Sequence, residues 1–134
     1  MSGAAGAAPL RWQVAWQAIG WVILALVVGV SLAPLLDGRQ VVANLDKLQH
    51  AAAFALLMAW FSTLAAAARR PAIAVGLLLL GIGIELAQGA SSWRRAEPLD
   101  VLADAVGIGL GWWLALRHAP RAFAAVERLL GARP

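Results

Sequence analysis

The sequence predicts an all-α membrane protein, a bundle of four transmembrane helices with cytoplasmic N- and C-termini and a short amphipathic C-terminal tail helix. Of its 134 residues, 62% are hydrophobic and only 13% are charged, whereas soluble proteins average about 45–50% apolar and about 25% charged residues. The mean hydropathy is +0.76. Because a spanning helix needs about 20 residues, the length suits a single membrane domain, 1–134.

The first predicted helix covers residues 12–36. No charged residue occurs between Arg11 and Asp37, three tryptophans near the start fit an interfacial anchor, and Pro34 ends the helix. The alternative is a cleaved secretory signal, because residues 31–33 resemble a small-residue cleavage site. The apolar run is longer than the usual signal core, which favours a membrane span.

Three further segments are apolar apart from a few polar side chains. The pair Arg69-Arg70 followed by Pro71 separates the second from the third, and Pro98 is a favourable first-turn residue for the fourth. Each is long enough to cross a bilayer, or nearly so. The predicted spans are residues 48–68, 72–88 and 98–116, followed by a basic tail over 117–134.

The distribution of basic residues predicts the orientation. With four crossings, more cations fall on the side of the two termini, which places that side in the cytoplasm. No groove-reading motif is present, so membrane lipids are expected as partners and nucleic acid is not. The inner set is Arg11, Arg69, Arg70, Arg117, Arg121, Arg128 and Arg133; the outer set is Arg39, Lys47, Arg94 and Arg95.

Two smaller patterns concern packing. Gly107 and Gly111 form a small-xxx-small pair, which indicates close packing within the bundle or a homodimer seam, and the oligomeric state stays open. In the tail, Phe123, Val126 and Leu130 share one helical face. This face predicts a short helix on anionic headgroups, with a solvated tail as the alternative.

Under this topology, the polar residues of the last three helices fall in one layer near the outer surface. Paired members on each helix are three or four residues apart and so share a face. Since an intramembrane charge costs about 2.5–3.5 kcal/mol at a helix centre, such groups must pair or line a wet cavity. The layer comprises Asp46, Lys47, His50, Glu85, Gln88, Arg94, Arg95, Asp100 and Asp104.

Two hypotheses account for this layer. In one, the cations neutralise the carboxylates and the protein is a non-catalytic interaction or scaffold protein. In the other, the layer is a site open to the outer leaflet, and whether it is an enzyme site is left undecided. Carboxylates and a histidine without any cysteine suit a divalent cation or acid–base chemistry, and arginines suit an anionic head. The catalytic candidates are Asp46, His50, Glu85 and Asp100; the ligand-binding candidates are Lys47, Gln88, Arg94, Arg95 and Asp104.

These residues are also those by which residues 45–112 resemble the VanZ-like family of small bacterial membrane proteins. The match consists of Asp46-Lys47 with His50, Glu85 with Gln88, an arginine at 94 or 95, and Asp100, Asp104, Gly107 and Gly111. Many members have asparagine where Asp104 stands. The resemblance implies a cell-envelope protein linked to resistance to the glycopeptide teicoplanin, and no particular reaction. The expected ligand is an anionic envelope lipid or cell-wall precursor.

Overall fold

The chain is all-helical over the residues that the computed structural model describes, 10–33, 45–92, 95–117 and 119–131. This confirms the predicted fold class at the level of secondary structure. A single 3-10 turn, Ala67–Arg69, precedes the third helix. The helices are α1 (Gln13–Leu32), α2 (Leu45–Leu64), α3 (Arg70–Ala90), α4 (Pro98–Arg117) and α5 (Ala119–Leu129).

Three helical stretches are long and apolar enough to cross a membrane: α1, the run Ala67–Ala90 containing α3, and α4. The fourth predicted span, α2, does not belong to this set. It has the same length as α1, but it opens on the polar run Asp46-Lys47 and then Gln49-His50, which lowers its average hydropathy. The helices are therefore compatible with a membrane protein, and the four-span arrangement stays a prediction.

Several helix ends differ from the predicted bounds. The α1 helix ends at Leu32 because Ala33 is extended; the predicted remainder, 34–36, lies outside the described residues. The α2 helix spans Leu45–Leu64 instead of 48–68, since the chain leaves the helix at Ala65 and enters the 3-10 turn. Apolar periodicity does not locate such ends, because the polar first turn of α2 continues the same helix.

The helices alternate in direction, so that α2 and α4 run parallel to each other and antiparallel to α1 and α3. At one end His50 meets Asp104 and Gln88 meets Ser31. The first contact joins the starts of α2 and α4, and the second joins the ends of α1 and α3. A hydrogen bond from the backbone N–H of Glu97, just before α4, to Glu85 of α3 places both pairs at the same end, which we call the polar end. The buried core between the ends comprises Phe54, Leu57, Met58, Leu77, Ile84 and Ile108.

Glycines on α4 allow its backbone to touch that of α2. A Cβ atom added to Gly107 would collide with the carbonyl oxygen of Ala51, and one added to Gly111 would collide with that of Ala55. The most extensive helix–helix contact among the described residues is the one between α2 and α4. The glycine pair therefore serves packing within one chain, as the first of the two interpretations predicts.

At the opposite end, α5 folds back onto α1 and α2. Phe123 is buried, and its ring centroid lies 4.8 Å from that of Trp16 and 4.9 Å from that of Trp60. One turn later, the Glu127 carboxylate accepts hydrogen bonds from the backbone N–H groups of Arg11 (3.1 Å) and Trp12 (3.0 Å). It also accepts one from Trp16 Nε1 at 2.9 Å. The tail helix is thus anchored to the start of α1.

Candidate functional site

The polar end brings together six of the residues that the sequence singles out. They arrive from three helices because α2 and α4 begin at this end and α3 finishes there. The four-residue spacing within α2 and within α4 turns each pair of side chains toward the partner helix. The six are Asp46, Lys47 and His50 on α2, Glu85 on α3, and Asp100 and Asp104 on α4.

His50 is buried at the centre of this group, and its ring is held by Asp104. The Nδ1–H group donates a hydrogen bond to Asp104 Oδ1 at 2.9 Å, and Asp104 has 0% exposure. A carboxylate accepts hydrogen bonds, so Nδ1 carries a proton, and in the neutral ring Nε2 has the lone pair. Nε2 lies 3.9 Å from Asp100 Oδ2, too far for a hydrogen bond.

Lys47 forms an ion pair with each of two carboxylates at the rim of the polar end. Its Nζ atom lies 2.8 Å from Glu97 Oε2 and 3.3 Å from Asp100 Oδ1. Glu97 also donates its backbone N–H to Glu85 Oε2 at 2.8 Å, which ties the link before α4 to α3. The hydrogen bond from Lys47 lowers the pKa of Glu97 below the ordinary glutamate value.

Two buried carboxylate oxygens at the polar end, Glu85 Oε1 and Asp104 Oδ2, have no hydrogen-bond partner among the residues that the structure describes. The second faces Gly81 of α3, where a Cβ atom would collide with it. Leaving a buried polar atom unpaired costs about 1–3 kcal/mol, and more when the group is charged. Such atoms are rare in folded proteins, and each calls for an explanation.

The remaining candidates contribute differently. Gln88 is buried, and its Nε2 donates to the carbonyl oxygen of Ser31 at 2.8 Å, so its amide joins α3 to α1. Arg95 is exposed. Arg94 lies outside the described residues.

A cavity of about 320 Å³ opens beside this group, between the second half of α1 and the first half of α2. Asp46, Gln49 and His50 form the polar part of its wall, and the rest is mainly aliphatic and aromatic. Sequence reasoning finds neither this cavity nor the role of Glu97, because both depend on contacts between helices. The other lining residues are Leu26, Val27, Val30, Ser31, Ala33, Ala53 and Phe54.

Three of the polar-end residues are spaced as metal ligands. One carboxylate oxygen from Asp46, one from Asp100 and one ring nitrogen of His50 all lie within 4.8 Å of one another. Small movements of the side chains would bring all three atoms to a single ion.

No protein-family model, curated protein or solved structure matches the chain. The resemblance to the VanZ-like family therefore stays a prediction that rests on the motif residues. What the site does has to be argued from its own chemistry.

Proposed function

We propose that the chain is a VanZ-like integral membrane protein of the bacterial cell envelope. Four helices cross the inner membrane, both termini are cytoplasmic, and the polar end faces outward. There it binds the anionic head of an envelope lipid or lipid-linked cell-wall precursor. The observation that carries the proposal is the cavity between α1 and α2, which combines the buried His50 and the adjacent Asp46 with an apolar wall.

An amphiphile fits such a cavity better than a fully polar ligand does. Leu26 and Val30 on the cavity wall are 61% and 59% exposed, so in a bilayer they contact lipid. An acyl or prenyl chain lying along this wall remains in apolar surroundings. Its head then reaches His50, where a histidine oriented by a carboxylate can exchange a proton near neutral pH.

The roles of the individual residues follow from this placement. Asp46, His50, Glu85 and Asp100 act as cation- or proton-handling groups, and Asp104 orients His50. Lys47 and Arg94 hold the anionic head. The ammonium group of Lys47 also pairs with Glu97 and Asp100. An anionic head that binds Lys47 therefore replaces one of these carboxylates as its partner. If the protein binds wall precursors on the outer side of the membrane, it changes what teicoplanin meets there, and this is the proposed link to resistance.

The experiment replaces His50, Glu85 and Asp100 singly by alanine. We expect each variant to accumulate in membranes yet to lose its effect on teicoplanin sensitivity and on the profile of lipid-linked precursors. Ser92→Ala, an exposed change near the polar end, is the matched control and retains both effects. Unchanged sensitivity and precursor profiles in all three alanine variants, with normal protein levels, would contradict the proposal.

The ion pairs of Lys47 favour a second candidate function, a scaffold protein whose polar end is an internal network. The double change Lys47→Glu with Asp100→Lys distinguishes the two candidate functions, because it exchanges the charges of the Lys47–Asp100 ion pair. A network predicts that the double variant recovers folding and function together relative to Lys47→Glu alone. Recovery of folding without function supports a ligand site instead.

A further inference from the structure

The Nε2 atom of His50 lies near a carboxylate that it does not hydrogen-bond, and a second carboxylate, that of Asp46, lies close to both residues. Nε2 stands 3.9 Å from Asp100 Oδ2, and the ligand atoms of Asp46, His50 and Asp100 lie within 4.8 Å of one another. Oxygen and nitrogen atoms around one ion are separated by about 3–4 Å, given bond lengths near 2.0–2.2 Å. We propose that Asp46, His50 and Asp100 bind a divalent cation of the Mn²⁺ or Zn²⁺ type.

The hydrogen bond on the other side of the ring supports this assignment. A histidine that binds a metal almost always donates its second ring N–H to a carboxylate or a carbonyl group, which fixes the ring and its tautomer. Here Nδ1–H donates to Asp104 Oδ1 at 2.9 Å, and the carboxylate is itself buried by the contact with Gly81. With Nδ1 engaged by Asp104, Nε2 is the ring nitrogen left to bind an ion, and it lies on the side of Asp100.

The charge of the polar end is a second, independent observation. Among the described residues, Glu85 Oε1 and Asp104 Oδ2 have no hydrogen-bond partner, and both residues are at least 95% buried, with exposures of 5% and 0%. In the same part of the chain, Lys47 is the cation that pairs with the acidic side chains of the polar end. A bound divalent ion adds positive charge beside these buried carboxylates, which lowers the cost of burying them.

The position of the three ligands indicates what the cation does. Asp46 and His50 both line the cavity, so an ion between them keeps coordination positions open toward it. Three protein ligands with an open position are typical of catalytic rather than structural sites. The ion would bind a phosphate or carboxylate head in the cavity; this last step rests on the proposed function, whereas the cation site does not.

The test uses Mn²⁺ and the full-length protein in lipid nanodiscs. We expect saturable binding of a single Mn²⁺ ion, measured by electron paramagnetic resonance, with a ¹⁴N coupling from one imidazole in the echo-modulation spectrum. The nitrogen coupling is read on the unsubstituted chain, so it does not depend on a variant that folds. Absence of saturable binding, or saturable binding without the nitrogen coupling, would overturn the cation site.

Variants then assign the ligands. Asp46→Asn and His50→Ala should each weaken Mn²⁺ binding at least tenfold, and Asp104→Asn should weaken it about 10–100-fold through the orientation of His50. Glu127→Gln is the matched control, because it removes one negative charge at the opposite end of the bundle, where Glu127 contacts none of the ligands. An equal loss in Glu127→Gln and Asp46→Asn would show that binding follows net charge and would contradict the site.

A last measurement separates this proposal from the proposed function. Binding of a lipid-linked precursor to the nanodisc-embedded protein is compared with and without a chelator. A loss of precursor binding on chelation supports both proposals. If Mn²⁺ binds but the chelator does not change the affinity for the precursor, the cation site stands and its role in binding the head is rejected. Precursor binding without any Mn²⁺ site rejects the cation and leaves the proposed function standing.

Discussion

Individual glycines of α4 differ in their surroundings, and this difference gives the first prediction. A methyl group at Gly107 would collide with the backbone of Ala51, whereas one at Gly109 would meet nothing within 4 Å. Gly107→Ala must therefore push α2 and α4 apart, and overpacking of this kind costs about 1–3 kcal/mol of the free energy of unfolding. Gly109→Ala keeps or slightly raises stability because alanine favours the helix.

Thermal unfolding of the purified variants in the same detergent checks this prediction. Gly107→Ala should have a lower midpoint than the parent chain, and Gly109→Ala should not. Equal midpoints for the two variants would mean that α2 and α4 do not touch at Gly107. The pair makes a fair comparison because the same chemical change is made on two faces of one helix.

The sequence predicts which residues form the polar end, but it does not predict which of them contact each other. The four-residue spacings of Asp46 with His50 and of Asp100 with Asp104 are visible in the sequence, so their common faces are predictable. The pairing of His50 with Asp104 and of Lys47 with Glu97 is not. These partners are 54 and 50 residues apart, and only the register of packed helices decides which side chains meet.

Among the helices, α5 is attached to α1 by the Glu127 carboxylate in addition to the ring contact of Phe123 with Trp16. Burial opposes the charged form of Glu127, but hydrogen bonds from Trp12, Trp16 and Arg11 outweigh burial and lower the pKa below the ordinary value. A group whose pKa is lowered on folding stabilises the folded state at neutral pH, and this contribution is lost as the pH falls through the lowered pKa. The attachment of α5 should therefore weaken below about pH 4.

Amide hydrogen exchange tests this prediction. The protection factors of the α5 amides, corrected for the intrinsic rate at each pH, should fall between pH 7 and pH 3 while those of α4 persist. Glu127→Gln retains an acceptor but cannot titrate, so its α5 protection should change little over the same range. An equal fall in the parent chain and in Glu127→Gln would contradict the role of this carboxylate.

The same helix shows what hydrophobic periodicity misses. Phe123, Val126 and Leu130 share a face, yet Phe123 is buried against tryptophans while Val126 and Leu130 are 38% and 62% exposed. The residue that completes the contact is Glu127, an acid that periodicity assigns to solvent. Its burial depends on hydrogen bonds from the first N–H groups of the α1 region. At any helix start such groups need an acceptor outside the helix, and the sequence does not show which residue supplies it.

For the whole molecule, the alternating directions of the helices make the orientation in the membrane testable. Because the chain contains no cysteine, single cysteines can be introduced without background. In intact cells, a membrane-impermeant thiol reagent should label Ser92→Cys near the polar end and leave Gln13→Cys unlabelled until the cells are lysed. Labelling of Gln13→Cys alone would invert the proposed orientation, and labelling of both would contradict the spanning arrangement.

The all-helical class is predictable from composition because long apolar runs leave few alternatives. The number of membrane-spanning helices is harder to predict from composition, because α2 has the length of a spanning helix but carries several polar residues of the candidate site. A helix that contributes Asp46 and His50 to the proposed cation site cannot also have a uniformly apolar sequence. The weakest hydropathy signal therefore falls on the helix that matters most for the proposed chemistry.

The attachment of Glu127 to Arg11 and Trp12 also imposes an order on biosynthesis. The two ends of the contact are 116 and 115 residues apart, so the first N–H groups of α1 wait for their acceptor until residue 127 has been made. Until then, water or lipid headgroups must solvate that helix start. The start of α1 is therefore completed only after α2, α3 and α4 have been made.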